Sequence, residues 1–495
     1  MNVGKVLKKT AEKYGEKAAI IFEGQTIAFK ELQEKTNRLA NALIRSGIKR
    51  GDKVGIWLPN SLECAIGYLA VYKIGAVVVP LDARLKETEL IPLLNHSKTS
   101  LLISRIPKEF SLDNILEKVS SLKNIITVQE GDFLSFEEIM KEESDELSPI
   151  EIDEKETSTI FYTSGTTGTP KGVVWNYRHL DAAPKIFAYF PKFTEKDVEI
   201  CPIPFSHCAG LVYLQVCIFY GGTLVLMRVF SPLEFLKNIE KYQVTWFHIV
   251  PSMFTATLQM KEFETYNLKS LRAVAVFGAP SSPGLLVKFA HSCPQAKLFS
   301  GYGLTETAPP NTMHPLDKIK LGSVGKTPPW IEMKIFDKSN KEVPTGEVGE
   351  VVFKGWVVMD GYYKEPQLTS EVIKDGWFYT GDLGKVDEED YLYIMGRTKE
   401  VIIVGGLNVY AVEVEGVIQC HPKVKEVAVV GIPDKLRGEV VKAVVVLREG
   451  EKAEPQEIID YCRRRLTHFK IPHIVEFRGS LPHTSSGKIR KEELK

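Results

Sequence analysis

The sequence predicts an α/β protein. A large N-terminal part of α/β regions ends in a small β-rich region, and a small α+β unit follows. Three observations carry this. Apolar strand-like runs alternate with helical periods over the first 150 residues and again from 158 to about 310. From 320 to 395 the texture changes to short strands, many glycines and turn signals such as TGE, DG and DEED. After GRTKE at 396–400 it changes once more, which divides the chain into domains of 1–396 and 397–495.

The elements follow in order. Phe29, Leu32, Leu39, Leu43 and Ile44 recur at helical spacing, and Gly47 and Gly51 stop that helix. VGIWLPN at 54–60 reads as a buried strand, followed by a second apolar helix and the VVVP strand at 77–80. LLIS at 101–104 and NIITV at 124–128 add short strands. Such repetition argues for a parallel sheet covered on both faces. The acidic stretch 142–156, with Pro149 inside it, reads as a solvated surface loop. The C-terminal unit reads as a helix near 411–420, strands at 426–431 and 440–447, a helix near 455–468 and a basic tail.

Composition excludes several classes. Lys+Arg and Asp+Glu both number 63, so zero net charge leaves no broad footprint for nucleic acid. A content of 44% hydrophobic and 25% charged residues excludes a disordered chain or a collagen-like repeat. Seven scattered cysteines without a CxxC pair argue against a disulfide scaffold or a zinc site, and for a reducing, cytoplasmic compartment. The charged N-terminus lacks a secretory apolar core. The longest apolar runs, such as IGAVVVPL at 74–81, are far too short for a membrane span.

The most informative segment is YTSGTTGTPKG at 162–172, directly after the strand-like STIF. Gly165, Gly168 and Gly172 allow a tight turn whose backbone N–H groups converge on an anion. Thr163, Ser164, Thr166, Thr167 and Thr169 add hydroxyl donors, and Lys171 adds a positive charge. The set suits the terminal phosphates of a nucleotide. It is not a Walker A loop, because GxxxxGK[ST] is absent. The competing reading, a flexible surface loop, is disfavoured by the density of Gly, Ser and Thr ending in PKG.

With this loop the sequence resembles the adenylate-forming enzymes: acyl-CoA synthetases, beetle luciferases and peptide-synthetase adenylation domains. YKIGAVVVPLD at 72–82, PIPFSHCAG at 202–210, GYGLTET at 301–307, YTGDLG at 379–384, GRTKEVIIVGGLNV at 396–409 and LPHTSSGKIRK at 481–491 occur in the family's order over nearly the whole chain. The resemblance implies ATP, Mg²⁺ and CoA as reactants, a small carboxylic acid as substrate and a mobile C-terminal domain. It allows a homodimer. It gives the catalytic work to Thr167, Glu306, His207 and Lys488. Glu306 would be the Mg²⁺ ligand, a hard oxygen of the kind that ion prefers. Thr305 would donate to a phosphate, and Tyr302, between Gly301 and Gly303, would stack on adenine. Gly278, Ala279 and Pro280 would run along the adenine. Asp382 would accept from ribose hydroxyls, and Arg397 would contact ribose or phosphate beside a hinge at Lys399. Gly405 and Gly406 would turn into the site for the second half-reaction. Cys208 reads as a small buried hydrophobe rather than half of a Cys/His nucleophile pair.

Departures from the family pattern bear on the acid. Ala411 stands where a proline is common. Phe277 replaces a frequent glycine before GAP, and Trp246 is a second bulky residue near the expected pocket wall. With His207 and Gly303 these would shape a short pocket for short- or medium-chain acyl or compact aryl acids. Core packing is the competing reading for both rings. The reading is an ATP-dependent acid–CoA ligase. A long-chain ligase, a carrier-protein-loading or amino-acid-adenylating enzyme, luciferase-type oxidation and a non-catalytic nucleotide-binding regulator are its rivals. Ser206 and His207 stand where amino-acid-adenylating relatives place an Asp after the phenylalanine.

Overall fold

The computed structural model describes residues 2–105, 112–128, 134–148, 150–163, 170–278, 283–483 and 489–495. Two eight-stranded sheets dominate among these residues, and two five-stranded sheets follow. The first large sheet is ordered Gly361–Tyr362, Lys171–Asn176, Thr157–Thr163, Val77–Pro80, Lys53–Trp57, Leu101–Ser104, Asn124–Thr127 and Leu134–Ser135. The second runs Thr312–Met313, Lys297–Tyr302, Ala273–Val276, Trp246–Ile249, Val198–Cys201, Thr223–Leu226, Ala18–Phe22 and Gln25–Ala28. The inner strands are parallel, and antiparallel pairs finish every edge except the parallel pair of Asn124–Thr127 with Leu134–Ser135.

One hydrophobic core joins the two sheets, with Val54, Ile56 and Phe161 from the first and Ile20, Leu224 and Phe299 from the second. Helices Leu62–Lys73 and Cys208–Tyr220 lie within it and are buried on almost every side. That is why both read as apolar all round rather than amphipathic. Each has a side-chain cap at its start. Ser61 accepts from the Cys64 N–H at 3.1 Å, and His207 Nδ1 accepts from the Ala209 N–H at 3.2 Å. By contrast Phe29–Arg45 buries one stripe, including Phe29, Leu32, Leu39 and Leu43.

The segment 142–156 is a strap, not only a solvated loop. Asn37, Arg38 and Asn41 hold residues 144–146, Asn2 holds the Ile150 carbonyl, and Leu147, Ile150 and Ile152 pack on the core. Its acidic composition hides these apolar contacts. Pro149 lies outside the described residues.

The predicted β-rich region is the sheet built from Glu332–Phe336, Gly349–Lys354, Trp377–Val386, Ile373–Lys374 and Leu392–Arg397. The C-terminal unit has its own core of Val414, Ile418, Val427, Val441 and Ile458. Its strands, Val424–Asp434 and Gly438–Leu447, are longer than expected, and its second helix stops at Arg463. The chain turns there so that Leu466 and Phe469 pack on the same core. Among the described residues no helix is long and apolar enough to cross a membrane, and all seven cysteines are free.

Candidate active site

The strands Thr157–Thr163 and Lys171–Asn176 form a hairpin in which Thr163 and Lys171 are cross-strand partners. Ser164, Gly165, Thr166, Thr167, Gly168 and Thr169 lie outside the described residues. Lys171 is half-buried, with its Nζ 5.4 Å from the centre of the Tyr362 ring. Tyr362 in turn donates its hydroxyl to Glu306 Oε1 at 3.0 Å. Trp175, on the same hairpin, donates Nε1–H to the Thr305 carbonyl at 2.7 Å. The hairpin and the segment 302–306 are thereby fixed against each other. The burial of Tyr362 beside the Glu306 carboxylate raises its phenol far above the ordinary range, so it remains a donor.

Tyr302 begins the same segment. Its ring stacks on Phe353 with centroids 6.1 Å apart, and its hydroxyl donates to Asp382 Oδ2 at 2.6 Å. Burial and the Asp382 charge hold that phenol well above its usual value. Arg397 Nε meets Asp382 Oδ1 at 2.8 Å, as expected of register partners on adjacent strands. Tyr302 and Arg397 thereby hold the Asp382 carboxylate from both of its oxygens. The turn before Asp382 is pinned by Glu350, which accepts the Gly381 N–H at 2.8 Å.

His207 is exposed at the start of the helix Cys208–Tyr220. Beside it, Cys208 Sγ lies 3.5 Å from Thr305 Oγ1. His207 also lies within electrostatic range of Asp82. Burial pushes the Asp82 carboxyl upward, but hydrogen bonds from Arg84 outweigh it, and His207 adds to the net lowering. Phe277 is half-buried and covers Gly301, where an added Cβ would lie 2.5 Å from its Cε1 and 2.7 Å from the Thr312 carbonyl oxygen. A Cβ on Gly303 would lie 2.6 Å from Pro309 Cβ. Both glycines are thus required by packing within the protein. Trp246 is wholly buried, with Phe187 at 5.3 Å and Phe299 at 5.7 Å between ring centroids. Gly278 is exposed just after Phe277, whereas Ala279, Pro280 and Lys488 lie outside the described residues.

Lys399 is exposed in the 3₁₀ turn Thr398–Glu400, directly after Arg397. Gly405 and Gly406, with φ of 57° and 84°, form the two-residue turn of the hairpin Val401–Val404/Leu407–Tyr410. Positive φ at both positions is what such a tight turn demands.

Tyr362, Trp175 and Glu350 escaped the sequence reading. Tyr362 and Glu306 are 56 residues apart and Trp175 and Thr305 are 130 apart, so no local pattern links them. Glu306 fits a Mg²⁺ role: it is a half-buried carboxylate, and Mg²⁺ takes one or two carboxylates plus phosphate oxygens and water. Among the described residues no cluster of three or more His, Cys, Asp or Glu could hold a metal through the protein alone.

Comparison with known proteins gives the family. Residues 7–363 match the model of the AMP-binding enzymes, and 413–488 match the AMP-binding enzyme C-terminal domain. A long-chain-fatty-acid–CoA ligase of Bacillus subtilis is 33% identical over 99% of this chain and 93% of its own. The mitochondrial medium-chain acyl-CoA ligase of Homo sapiens is 31% identical over 100% of this chain and 87% of its own. The crystal structure of an anthranilate CoA ligase with anthranoyl-AMP superposes with a TM-score of 0.94 at 25% identity, covering 100% of this chain and 96% of that one. The chain belongs to the AMP-binding enzymes, the adenylate-forming superfamily whose acyl-CoA ligases are its named relatives.

Proposed function

We propose that this enzyme is an ATP-dependent acid–CoA ligase for short- or medium-chain acyl or compact aryl acids. In the first half-reaction the acid carboxylate attacks the α-phosphorus of ATP, forming acyl-adenylate and releasing pyrophosphate. In the second, the CoA thiol attacks the acyl carbonyl and AMP leaves. The observation that carries this reading is the gathering of Lys171, Glu306, Asp382 and Arg397, far apart in sequence, around the single segment 302–306 in a chain similar over its full length to acyl-CoA ligases.

The residues divide the work. Thr163, Ser164, Gly165, Thr166, Thr167, Gly168, Thr305 and Lys171 hold the phosphates through N–H, O–H and ammonium groups. Gly278, Ala279 and Pro280 flank the adenine with Tyr302, while Asp382 and Arg397 take the ribose. Glu306 would hold Mg²⁺, which when bound neutralises phosphate charge. His207 stands at the carboxylate end of the acid. Lys488 brings an oriented cation to the charge that develops between carboxylate and phosphate. The two domains are 1–396 and 397–495, and the second turns about Lys399 to bring Gly405 and Gly406 to the site.

A screen of carboxylic acids with ATP, Mg²⁺ and CoA tests the reading. Pyrophosphate release and a thioester seen by mass spectrometry are expected for at least one compact acid. Pyrophosphate without any CoA thioester would move the acceptor to another thiol, and a sixteen-carbon acid as best substrate would remove the short pocket. No pyrophosphate from any acid would leave a nucleotide-binding protein without ligase activity.

A further inference from the structure

The face of the second sheet that carries Phe277 also carries Glu199, Trp246 and His248. Glu199 and Trp246 are register partners on adjacent parallel strands, and His248 lies two residues beyond Trp246, so the three side chains leave one face. Phe187 touches both rings, at 5.3 Å from Trp246 and 6.1 Å from His248, and Tyr213 stacks on His248 at 3.9 Å. Glu199 and Trp246 are 0% exposed and His248 is 1% exposed. Yet both Glu199 carboxylate oxygens, Trp246 Nε1 and His248 Nδ1 have no hydrogen-bond partner among the described residues. Protein interiors pair nearly all such groups, so four in one cluster point to a ligand.

The chemistry of the cluster defines that ligand. His248 Nε2 lies 2.9 Å from the Ala209 carbonyl oxygen, a contact that requires Nε2–H as donor and makes Nδ1 a bare lone pair. Burial lowers the imidazole pKa to about 4, so the ring is neutral at pH 7. Trp246 Nε1–H can only donate. Burial pushes the Glu199 carboxyl well above the usual carboxylate range, and the nearby Asp197 charge adds to this. His248 and Trp246 are therefore uncharged and offer one bare acceptor and one bare donor on the face that also carries the unpaired Glu199 carboxyl. A distal carboxylate would bring a charge into this buried face without a cation to pair it, an ammonium could not accept from Trp246 Nε1–H, and an alkyl end would leave both groups unmatched. A hydroxyl donates once and accepts, which answers both.

The cluster is also in the right place. Ala209, which accepts from His248, is two residues from His207, and Cys208 between them touches Thr305. The His248 ring lies 5.4 Å from that of Phe277. We propose that His248 and Trp246 form a hydroxyl-reading subsite at the inner end of the acyl site, which selects compact acids with a hydroxyl remote from the carboxylate. The proposal rests on the ligase reading above.

Matched acid pairs test it: para-hydroxybenzoate against para-toluate, and omega-hydroxyhexanoate against heptanoate. In at least one pair kcat/KM should favour the hydroxyl member by about tenfold or more, because a site built to pair a hydroxyl discriminates strongly against its absence. His248→Phe and Trp246→Phe should each lower that ratio about tenfold, with melting temperature reporting the fold and His248→Gln as a further variant if His248→Phe does not fold. The proposal is overturned if the methyl member is preferred in both pairs, or if the variants depress both members equally. Ligation of some other acid in the screen, with no hydroxyl member turned over, also overturns it and leaves the ligase reading standing. Failure of every acid to release pyrophosphate removes the ligase reading and this subsite together.

Discussion

Gly301 has no room for a side chain, because the Phe277 ring and the Thr312 carbonyl already occupy the position of a Cβ. The same contact makes Phe277 the residue whose removal opens space beside Tyr302. Phe277→Gly should shift the chain-length optimum toward longer acids, each newly buried methylene contributing about 0.8 kcal/mol. A kcat/KM series of straight-chain acids measures this, and an unchanged optimum would make Phe277 a packing residue only. Lys488 makes a different claim. If it stabilises charge only in the first half-reaction, Lys488→Ala should cut adenylate formation by about 10²–10³. Thioester formation from pre-made acyl-adenylate should persist, and equal loss of both half-reactions sinks the assignment.

Among the elements, the helix Leu62–Lys73 shows how burial on every side constrains a charge. Lys73 is 4% exposed, and its amine donates to Gln33 Oε1 at 2.6 Å and Asn37 Oδ1 at 2.7 Å, both neutral. Burial lowers its pKa from 10.5 to about 7. The sign follows. Below about pH 7 both folded and unfolded chains carry the proton, and the fold bears the whole cost of a buried ammonium. Above about pH 10.5 neither carries it, so this cost disappears as pH rises between the two values. Relative to Lys73→Met, the parent should gain about 2 kcal/mol of stability between about pH 7 and 9. Urea unfolding of both proteins at the two pH values decides, and parallel pH dependence contradicts the expectation.

At the scale of the whole molecule, the proposed boundary between the two parts falls at Arg397. Arg397 pairs with Asp382, Thr398 Oγ1 donates to the Gly381 carbonyl at 2.7 Å, and the exposed Lys399 follows. The C-terminal core beyond it is separate, so one backbone position can absorb a rotation. Proline at 399 would fix φ near −65° and restrict the residue before it, here Thr398. Lys399→Pro should keep single-turnover pyrophosphate release near normal and yield little thioester. A variant that forms thioester at the parent rate would place the pivot elsewhere.

The sequence by itself determined the family, the α/β class and the residues in contiguous motifs. Glu306, Asp382, Arg397 and Lys171 stand out in the sequence because each sits in a short segment whose local chemistry is distinctive, and the structure gathers these segments around 302–306. The helices 29–44 and 62–73 were legible because periodicity and apolar content are also local. Only tertiary structure decided that the hairpin Ala18–Phe22/Gln25–Ala28 joins Thr223–Leu226 in the second large sheet rather than the strands that follow it in sequence. It alone brought Tyr362 to Glu306, Glu350 to Gly381, and Glu199 beside Trp246. The physical reason is the same in each case. Strand pairing joins residues through backbone hydrogen bonds, which carry no side-chain signature, so the partner of a strand is set by how the whole core closes.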